Sequence, residues 1–435
     1  MRKDPVIVRE FESIAATPDK PLSAPGFHFV DGASFGDLAE FVRQYSAASG
    51  DADVLECLRM GYRRGIGETI TVKNYVGLVE TRGGCRIQIL PKIDFSHGDE
   101  GSENTKKVFL RMLRSLKEFS SKALGNARLD ARRMDLFEVF ISMYVREADS
   151  LVKRGLRSDY VTIEEDLGAL KGKLLLREQL TRNATHKERF SVAHDEYMLD
   201  RPENKLIKST LLKLREATND QGNKRDIIRL LSHFEMVSPS TNVDADLARC
   251  VSDRAMAAYE TVLGWSRIFL KNRGFATFSG DSCAKSLLFP MDRLFEAYVA
   301  KSMRKAYSAL GWEVSAQHRG YWLFDDPQMF ALRPDVVVTK ADGARVILDT
   351  KWKSLSPNPR ANYGISQGDM YQMYAYAKKY DTKDVIVLYP LNAEMRGWPP
   401  IGFESGDGVS VRVRFVDLEN MEQSLDEIRL LIESL

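Results

Sequence analysis

Two short stretches hold the residues best suited to chemistry, Arg333-Pro334-Asp335 and Leu348-Asp349-Thr350-Lys351. Two carboxylates on adjoining strands are what a hard divalent cation takes, and Mg²⁺ in particular binds through one or two carboxylates and keeps waters for chemistry. Asp335 and Asp349 each offer a carboxylate oxygen, and the backbone carbonyl of Thr350 offers a third ligand. Asp349 and Lys351 are two apart in an apolar strand, so they point to the same face. The lysine then lies beside the cation, placed to orient or deprotonate a water and to offset phosphate charge. A cation held there lowers the pKa of its water and stabilises a pentavalent phosphorane, which is the chemistry of phosphodiester hydrolysis.

The carboxylates meet only if the strands are in the right register. A two-residue turn at Asp342-Gly343 puts Asp335 opposite Thr350, with the two acids on opposite faces of the sheet. A three-residue loop, Ala341-Asp342-Gly343 with Gly343 left-handed, puts Asp335 opposite Asp349. That loop, a type I turn with a G1 bulge, is common and wants glycine at that place. It is the expected register.

Three further residues join the candidate site. Gln372 and Tyr376 are four apart on an expected helix over 366–380, so they share a face, and both can hydrogen-bond phosphate or a catalytic water. Glu296, in Leu294-Phe295-Glu296-Ala297-Tyr298-Val299, is a lone acid in an apolar helical stretch, read either as a group at the metal or as a solvent-facing residue. In the loop 354–367, Arg360 and Tyr363 are of the types that contact DNA backbone, against the plainer reading of a surface connection. A Pro-Asp followed by Asp-x-Lys occurs by chance in many proteins; here it falls in a strand–turn–strand, with an acid-bearing helix before it and a Gln-x-x-x-Tyr helix after it.

The elements that must position these groups follow from apolar spacing. After 286 the pattern reads as a helix near 290–310, strands near 312–317, 328–340 and 345–352, the 366–380 helix, strands at 384–389 and 409–416, and a closing helix at 419–434. That describes a mixed sheet flanked by helices. The unbroken runs Val336-Val337-Val338 and Val346-Ile347-Leu348 belong in its covered middle. Earlier, residues 34–46 read as an amphipathic helix. Thr69–Val72, Tyr75–Val79 and Cys85–Leu90 read as strands, the last two joined by Arg82-Gly83-Gly84 and stopped by Pro91. The stretch 106–275 reads as mostly helical, with apolar faces at 136–144, 203–216 and 246–272.

The 435 residues suffice for two or three domains, and 44% hydrophobic with 29% charged content is ordinary for globular proteins. A net charge of +2 confines any nucleic-acid-binding charge to one groove or face. Cys57, Cys85, Cys250 and Cys283 are far apart and fit no zinc spacing, so they read as reduced thiols. His186 and His194 read as surface residues. The start Met1-Arg2-Lys3-Asp4-Pro5 lacks the apolar core of a signal peptide, and no apolar run is long enough to span a bilayer. The expectation is a cytoplasmic protein without a membrane partner.

Taken together, Leu294-Phe295-Glu296, Arg333-Pro334-Asp335, Leu348-Asp349-Thr350-Lys351-Trp352-Lys353 and the run Asp369 to Ala377 resemble the McrC family, the nuclease subunit of McrBC-type modification-dependent restriction systems. Tyr75–Val79 with Ile89-Leu90-Pro91-Lys92-Ile93 is similar to that family's N-terminal strand segment, and Gly155-Leu156-Arg157 with Leu170-Lys171-Gly172-Lys173 to its middle. The resemblance touches nearly the whole chain, is most specific after 290, and is weakest over the first 65 or so residues. It implies a multidomain α+β chain: an N-terminal mixed α/β domain over 1–105 that docks on the partner, a mainly helical region over 106–285, and a PD-(D/E)xK endonuclease domain over 286–435. It implies Mg²⁺ as cofactor, with Asp335, Asp349 and Thr350 at the metal and Asp335, Asp349, Lys351, Glu296, Gln372 and Tyr376 at the chemistry. The implied partners are double-stranded DNA and an McrB-like AAA+ GTPase hexamer, which recognises methylcytosine-containing DNA and is stimulated by the inserted N-terminal part of its nuclease subunit. The strands of 69–93 are the expected inserted part. No GxxxxGK(S/T) loop is present, Gly168–Lys173 being the nearest approach, so GTP belongs to the partner. Two other readings compete: a non-catalytic activator of the GTPase, and a stand-alone repair nuclease with the same core. An intact Asp335, Asp349 and Lys351 set weighs against the first, and the long portion before 286 against the second.

Overall fold

Strand pairing between distant parts of the chain sets the architecture. The computed structural model describes residues 5–18, 24–48, 58–93, 100–116, 135–250, 257–271 and 284–435. Cys57 and Cys283 lie outside the described residues. The chain forms two units: residues 1–120, 128–136 and 273–435 make the first, and 121–127 with 137–272 the second. It is a mixed α+β multidomain protein.

In the first unit the chain runs through β1 (Val6–Arg9), β2 (Ser13–Ala16), β3 (Phe27–Val30), α1 (Gly32–Ala48), β4 (Leu58–Arg63), β5 (Gly67–Val72), β6 (Tyr75–Thr81), β7 (Arg86–Leu90) and α2 (Glu100–Leu113). The expected hairpin is present, with Gly77 opposite Ile89 and Glu80 opposite Arg86, and Gly84 N–H closing the turn on the Thr81 carbonyl at 2.9 Å. β2, β3, β4 and β5 form one sheet, and α1 packs Leu38, Phe41 and Val42 into its core.

The second unit holds α3 (Leu136–Arg154), β8 (Asp159–Leu167), β9 (Lys173–Leu174), α4 (Leu176–Arg182), β10 (Phe190–Met198), α5 (Pro202–Ala217), α6 (Gln221–Ser232), α7 (Val243–Arg249) and α8 (Ala257–Lys271). It is less helical than expected, because β8, β10 and β9 form a three-stranded sheet. Glu164-Glu165-Asp166 blunts the alternation of β8, so its period does not announce a strand. The spacing over 246–272 gives two helices rather than one, α7 ending at an extended Cys250. His194, expected at the surface, is buried, with Nε2 3.1 Å from Glu196 Oε1; His186 is exposed.

The chain then re-enters the first unit with β11 (Ala284–Pro290), which pairs antiparallel with β6 and completes the sheet β1-β7-β6-β11. An expected boundary near 285 therefore falls inside a sheet shared by early and late sequence. After β11 come α9 (Met291–Tyr307), β12 (Glu313–Ala316), β13 (Tyr321–Asp325), β14 (Gln328–Leu332), β15 (Val336–Thr339), β16 (Arg345–Thr350), α10 (Gln367–Lys379), β17 (Asp384–Pro390), β18 (Ile401–Glu404), β19 (Ser410–Val416) and α11 (Met421–Ser434). The expected strand at 328–340 is two strands, since β13 and β14 form a separate hairpin and β15 starts a new sheet after Pro334. That sheet has the order β12-β15-β16-β17-β19-β18, with β16, β17 and β19 parallel. α10 packs Met373, Tyr376 and Ala377 against Val337, Ile347 and Val387, and Tyr307 of α9 donates its hydroxyl to the Leu425 carbonyl of α11 at 2.8 Å. No helix among the described residues is long and apolar enough to cross a membrane.

Gly77 shows how tight the shared sheet is. It has φ +144, and a Cβ there would lie 1.9 Å from the Leu287 carbonyl oxygen of β11. Gly77→Ala is expected to cost at least about 2 kcal/mol of stability, read as a lower unfolding midpoint in denaturant; an unchanged midpoint would mean β6 and β11 separate at no cost.

Candidate active site

The β15–β16 register places Val336 opposite Leu348 and Val338 opposite Val346, which continues to Asp335 opposite Asp349. Lys340 N–H donates to the Ala344 carbonyl at 2.8 Å, Gly343 N–H to the Lys340 carbonyl at 3.0 Å, and Gly343 has φ +87. This is the three-residue loop with a left-handed glycine. Asp335 and Asp349 accordingly share the sheet face that carries Val337 and Ile347.

Asp335 is clamped by its neighbour strand. Its Oδ2 accepts from Thr350 N–H at 2.7 Å and from Thr350 Oγ1–H at 2.6 Å, and its own carbonyl accepts from Gln317 N–H at 2.8 Å. Asp349 is almost fully buried, and its Oδ2 has no hydrogen bond of good geometry. That oxygen is nonetheless 2.6 Å from Lys351 Nζ, an ion contact rather than an aligned bond. Lys351 Nζ also lies 3.3 Å from Gln372 Oε1 and 3.9 Å from Asp369 Oδ1. Glu296, Asp335, Thr350 and Lys351 line one cleft of about 490 Å³, together with Asp292, Arg293, Trp352, Lys353 and three residues of the N-terminal strands, Phe11, Asn74 and Lys92.

The electrostatics match this crowding of acids. Burial, reinforced by the Asp335 charge, raises the Asp349 carboxyl above the ordinary range. Burial also raises Asp335, against the pull of its Thr350 hydrogen bonds and Lys351. Glu296 is pushed up to about 7 by burial and then by the Asp335 charge. Burial works against the Lys351 ammonium, yet the Asp349, Asp335 and Asp369 charges hold it above its usual value. It is therefore a cation at neutral pH, better suited to offset charge and orient water than to take a proton. Three carboxyl groups converge here, Lys351 is the lysine in direct contact with them, and a buried oxygen of Asp349 lacks a donor of good geometry. A divalent cation fits this donor set: it supplies the missing positive charge where the acids converge.

The remaining candidates take different places. Gln372 reaches Lys351 and donates to the Tyr376 hydroxyl at 2.9 Å. Tyr376 is buried, and its hydroxyl donates to the Arg333 carbonyl at 3.0 Å, which ties α10 to the segment leading into Asp335. Arg360 is exposed on an ordered turn, whereas Tyr363 packs partly into the core. Sequence spacing missed Asp369, whose Oδ2 accepts from Lys353 Nζ at 2.9 Å; its place in the first turn of α10 was the available signal. It also missed Gln317 and Lys92, which come from distant sequence with no motif of their own.

A sequence model of the family described as "McrBC 5-methylcytosine restriction system component" matches residues 70–390, well over half of the chain. In structure the chain is similar to one from a refined half-complex of the tetradecameric assembly of Thermococcus gammatolerans McrB AAA+ hexamers with bound McrC. The identity is 18%, the TM-score 0.69, and the match covers 98% of this chain and 100% of the other. A chain of the cryo-EM structure of the Thermococcus gammatolerans McrBC complex is similar at 18% identity and TM-score 0.49, over 68% of this chain and 86% of the other. At such identity the first likeness speaks for the fold alone. No curated protein matches the chain in sequence.

Glu296 binds its proton more tightly in the folded chain than in the unfolded one, as do Asp335 and Asp349. Their contribution to stability is full below the ordinary carboxyl values of 3.8 to 4.5, and for Glu296 it is lost as pH rises through about 7. The metal-free chain should therefore melt lower at about pH 8 than at about pH 5, and Mg²⁺ should restore more at the higher pH. Differential scanning fluorimetry checks both; Glu296→Gln should flatten the slope.

Proposed function

This chain belongs to the McrBC 5-methylcytosine restriction system component family, and on that premise we propose that it is the DNA-cutting subunit of a GTP-driven restriction complex. It is a Mg²⁺-dependent endonuclease of the PD-(D/E)xK type, acting in the cytoplasm on double-stranded DNA that carries 5-methylcytosine. It works with an McrB-like AAA+ GTPase hexamer and stimulates that partner. The observation that carries this reading is the meeting of Asp335 and Asp349 on one sheet face, with Lys351 Nζ 2.6 Å from Asp349.

Asp335, Asp349 and the backbone carbonyl of Thr350 would hold the cation. A divalent ion bound there supplies Lewis acidity for a phosphoryl oxygen and for the attacking water. The chain's own groups do the rest. Thr350 fixes the orientation of Asp335 through two short hydrogen bonds. The Lys351 ammonium offsets charge that develops on the phosphoryl oxygens and, with Gln372 Oε1, orients a water for in-line attack. Glu296, with its carboxyl at about 7 and outside the three groups that would hold the cation, is able to exchange a proton near neutrality. Tyr376 acts through position, holding the Arg333 carbonyl and Gln372 in place. GTP is bound by the partner, and the N-terminal α/β segment, including the strands within 69–93, supplies the docking surface.

The test mixes the purified chain with methylated duplex DNA, Mg²⁺ and GTP, with and without the partner GTPase. Cutting should require both proteins. Asp349→Ala should lower cutting at least about a hundredfold while leaving stimulated GTP hydrolysis intact. Stimulation without any cutting by the unaltered chain would mean a non-catalytic activator, and cutting by the chain alone would mean a stand-alone nuclease.

A further inference from the structure

Lys92 follows β7 across Pro91, and its side chain lies in the same cleft as Glu296, Asp335, Thr350 and Lys351. A closed set of bonds holds it there. Lys92 Nζ donates to the Trp352 carbonyl at 3.0 Å. Lys92 N–H donates to Glu10 Oε2 at 3.0 Å, and the same oxygen accepts from Trp352 Nε1–H at 3.0 Å. The ammonium also sits 4.4 Å from the centre of the Phe11 ring, a cation–π distance. Trp352 stands between Lys351 and Lys353 in sequence, so the lysine of the N-terminal sheet is fixed to the backbone that carries the catalytic lysine.

The charge there is poorly answered. An ammonium has three donors, and Lys92 spends one on a neutral carbonyl; its other donors have no hydrogen-bond partner among the described residues. Glu10, the nearby acid, is buried behind it and uses Oε2 on the Lys92 amide and the indole. Burial lowers the Lys92 ammonium, Glu10 opposes that, and the Lys353 charge lowers it further. Holding a half-buried cation beside a second cation costs free energy that a neutral side chain would avoid. The arrangement is what an anion entering the cleft would stabilise.

We propose that Lys92 is a substrate-binding residue, its ammonium taking a non-bridging oxygen of a DNA phosphate next to the one that is cut. The strand is then gripped jointly by the N-terminal sheet and the C-terminal domain. This rests on the nuclease reading given above.

The experiment measures binding of the full chain to a fluorescein-labelled duplex across a salt series, with Ca²⁺ in place of Mg²⁺. Lys92→Gln should weaken binding and reduce the slope of log Kd against log salt by about 1, the loss of one phosphate contact, and Lys92→Arg should restore the slope. An unchanged slope in a Lys92→Gln protein that melts normally overturns the proposal. So does a slope lost equally in both variants, since a merely structural lysine gives that result. Asp349→Ala, run beside them in Mg²⁺ with the partner and GTP, separates the two levels. Cutting that survives Asp349→Ala sinks the nuclease reading and this assignment together, whereas an unchanged Lys92→Gln slope sinks this assignment alone.

Discussion

Asp335 and Glu296, which line one cleft, and Asp349, buried beside it, cannot all carry charge unless positive charge is brought among them. Burial pushes the proton affinity of a carboxyl group up, and nearby carboxylates push the same way; all three are raised here, chiefly by burial. Lys351 answers part of this, its ammonium lying 2.6 Å from Asp349 Oδ2. The rest of the C-terminal sheet is the means of holding these groups in place. A one-residue change in the β15–β16 loop would send one acid to the far face, and Gly343 in its left-handed conformation is what prevents it.

Around this centre the structure is more of a joint product than a chain of separate domains. β11 joins late sequence to early sequence by pairing with β6, and Glu10, Lys92 and Trp352 close a hydrogen-bonded set that also links the two. Any displacement of the N-terminal strands would thus be felt at the carbonyl and indole of the residue after Lys351.

Much of this was legible in the residues. Apolar runs flanking Asp335 and Asp349 fixed the central strands, and loop length with one glycine fixed their register, because local turn chemistry determines which side chains face each other. The helix with Gln372 and Tyr376 was legible from its period, but not that Tyr376 spends its hydroxyl on Arg333. What escaped depends on long-range packing. β8 carries acids on an exposed face and shows no clean period. β13 was not expected, and β14 merged with β15 because Pro334 marks a break without saying that a new sheet begins. Lys92 and Gln317 reach the cleft only through tertiary pairing, which no spacing encodes.

The central claim is that the acids converge on a single divalent ion. Crystals of the chain soaked in Mn²⁺, with anomalous scattering recorded at the manganese edge, test it most directly. The account predicts a peak within about 2.5 Å of a carboxylate oxygen of both Asp335 and Asp349. No peak there, or one found instead at the Glu165, His194 and Glu196 group of the second unit, would contradict it.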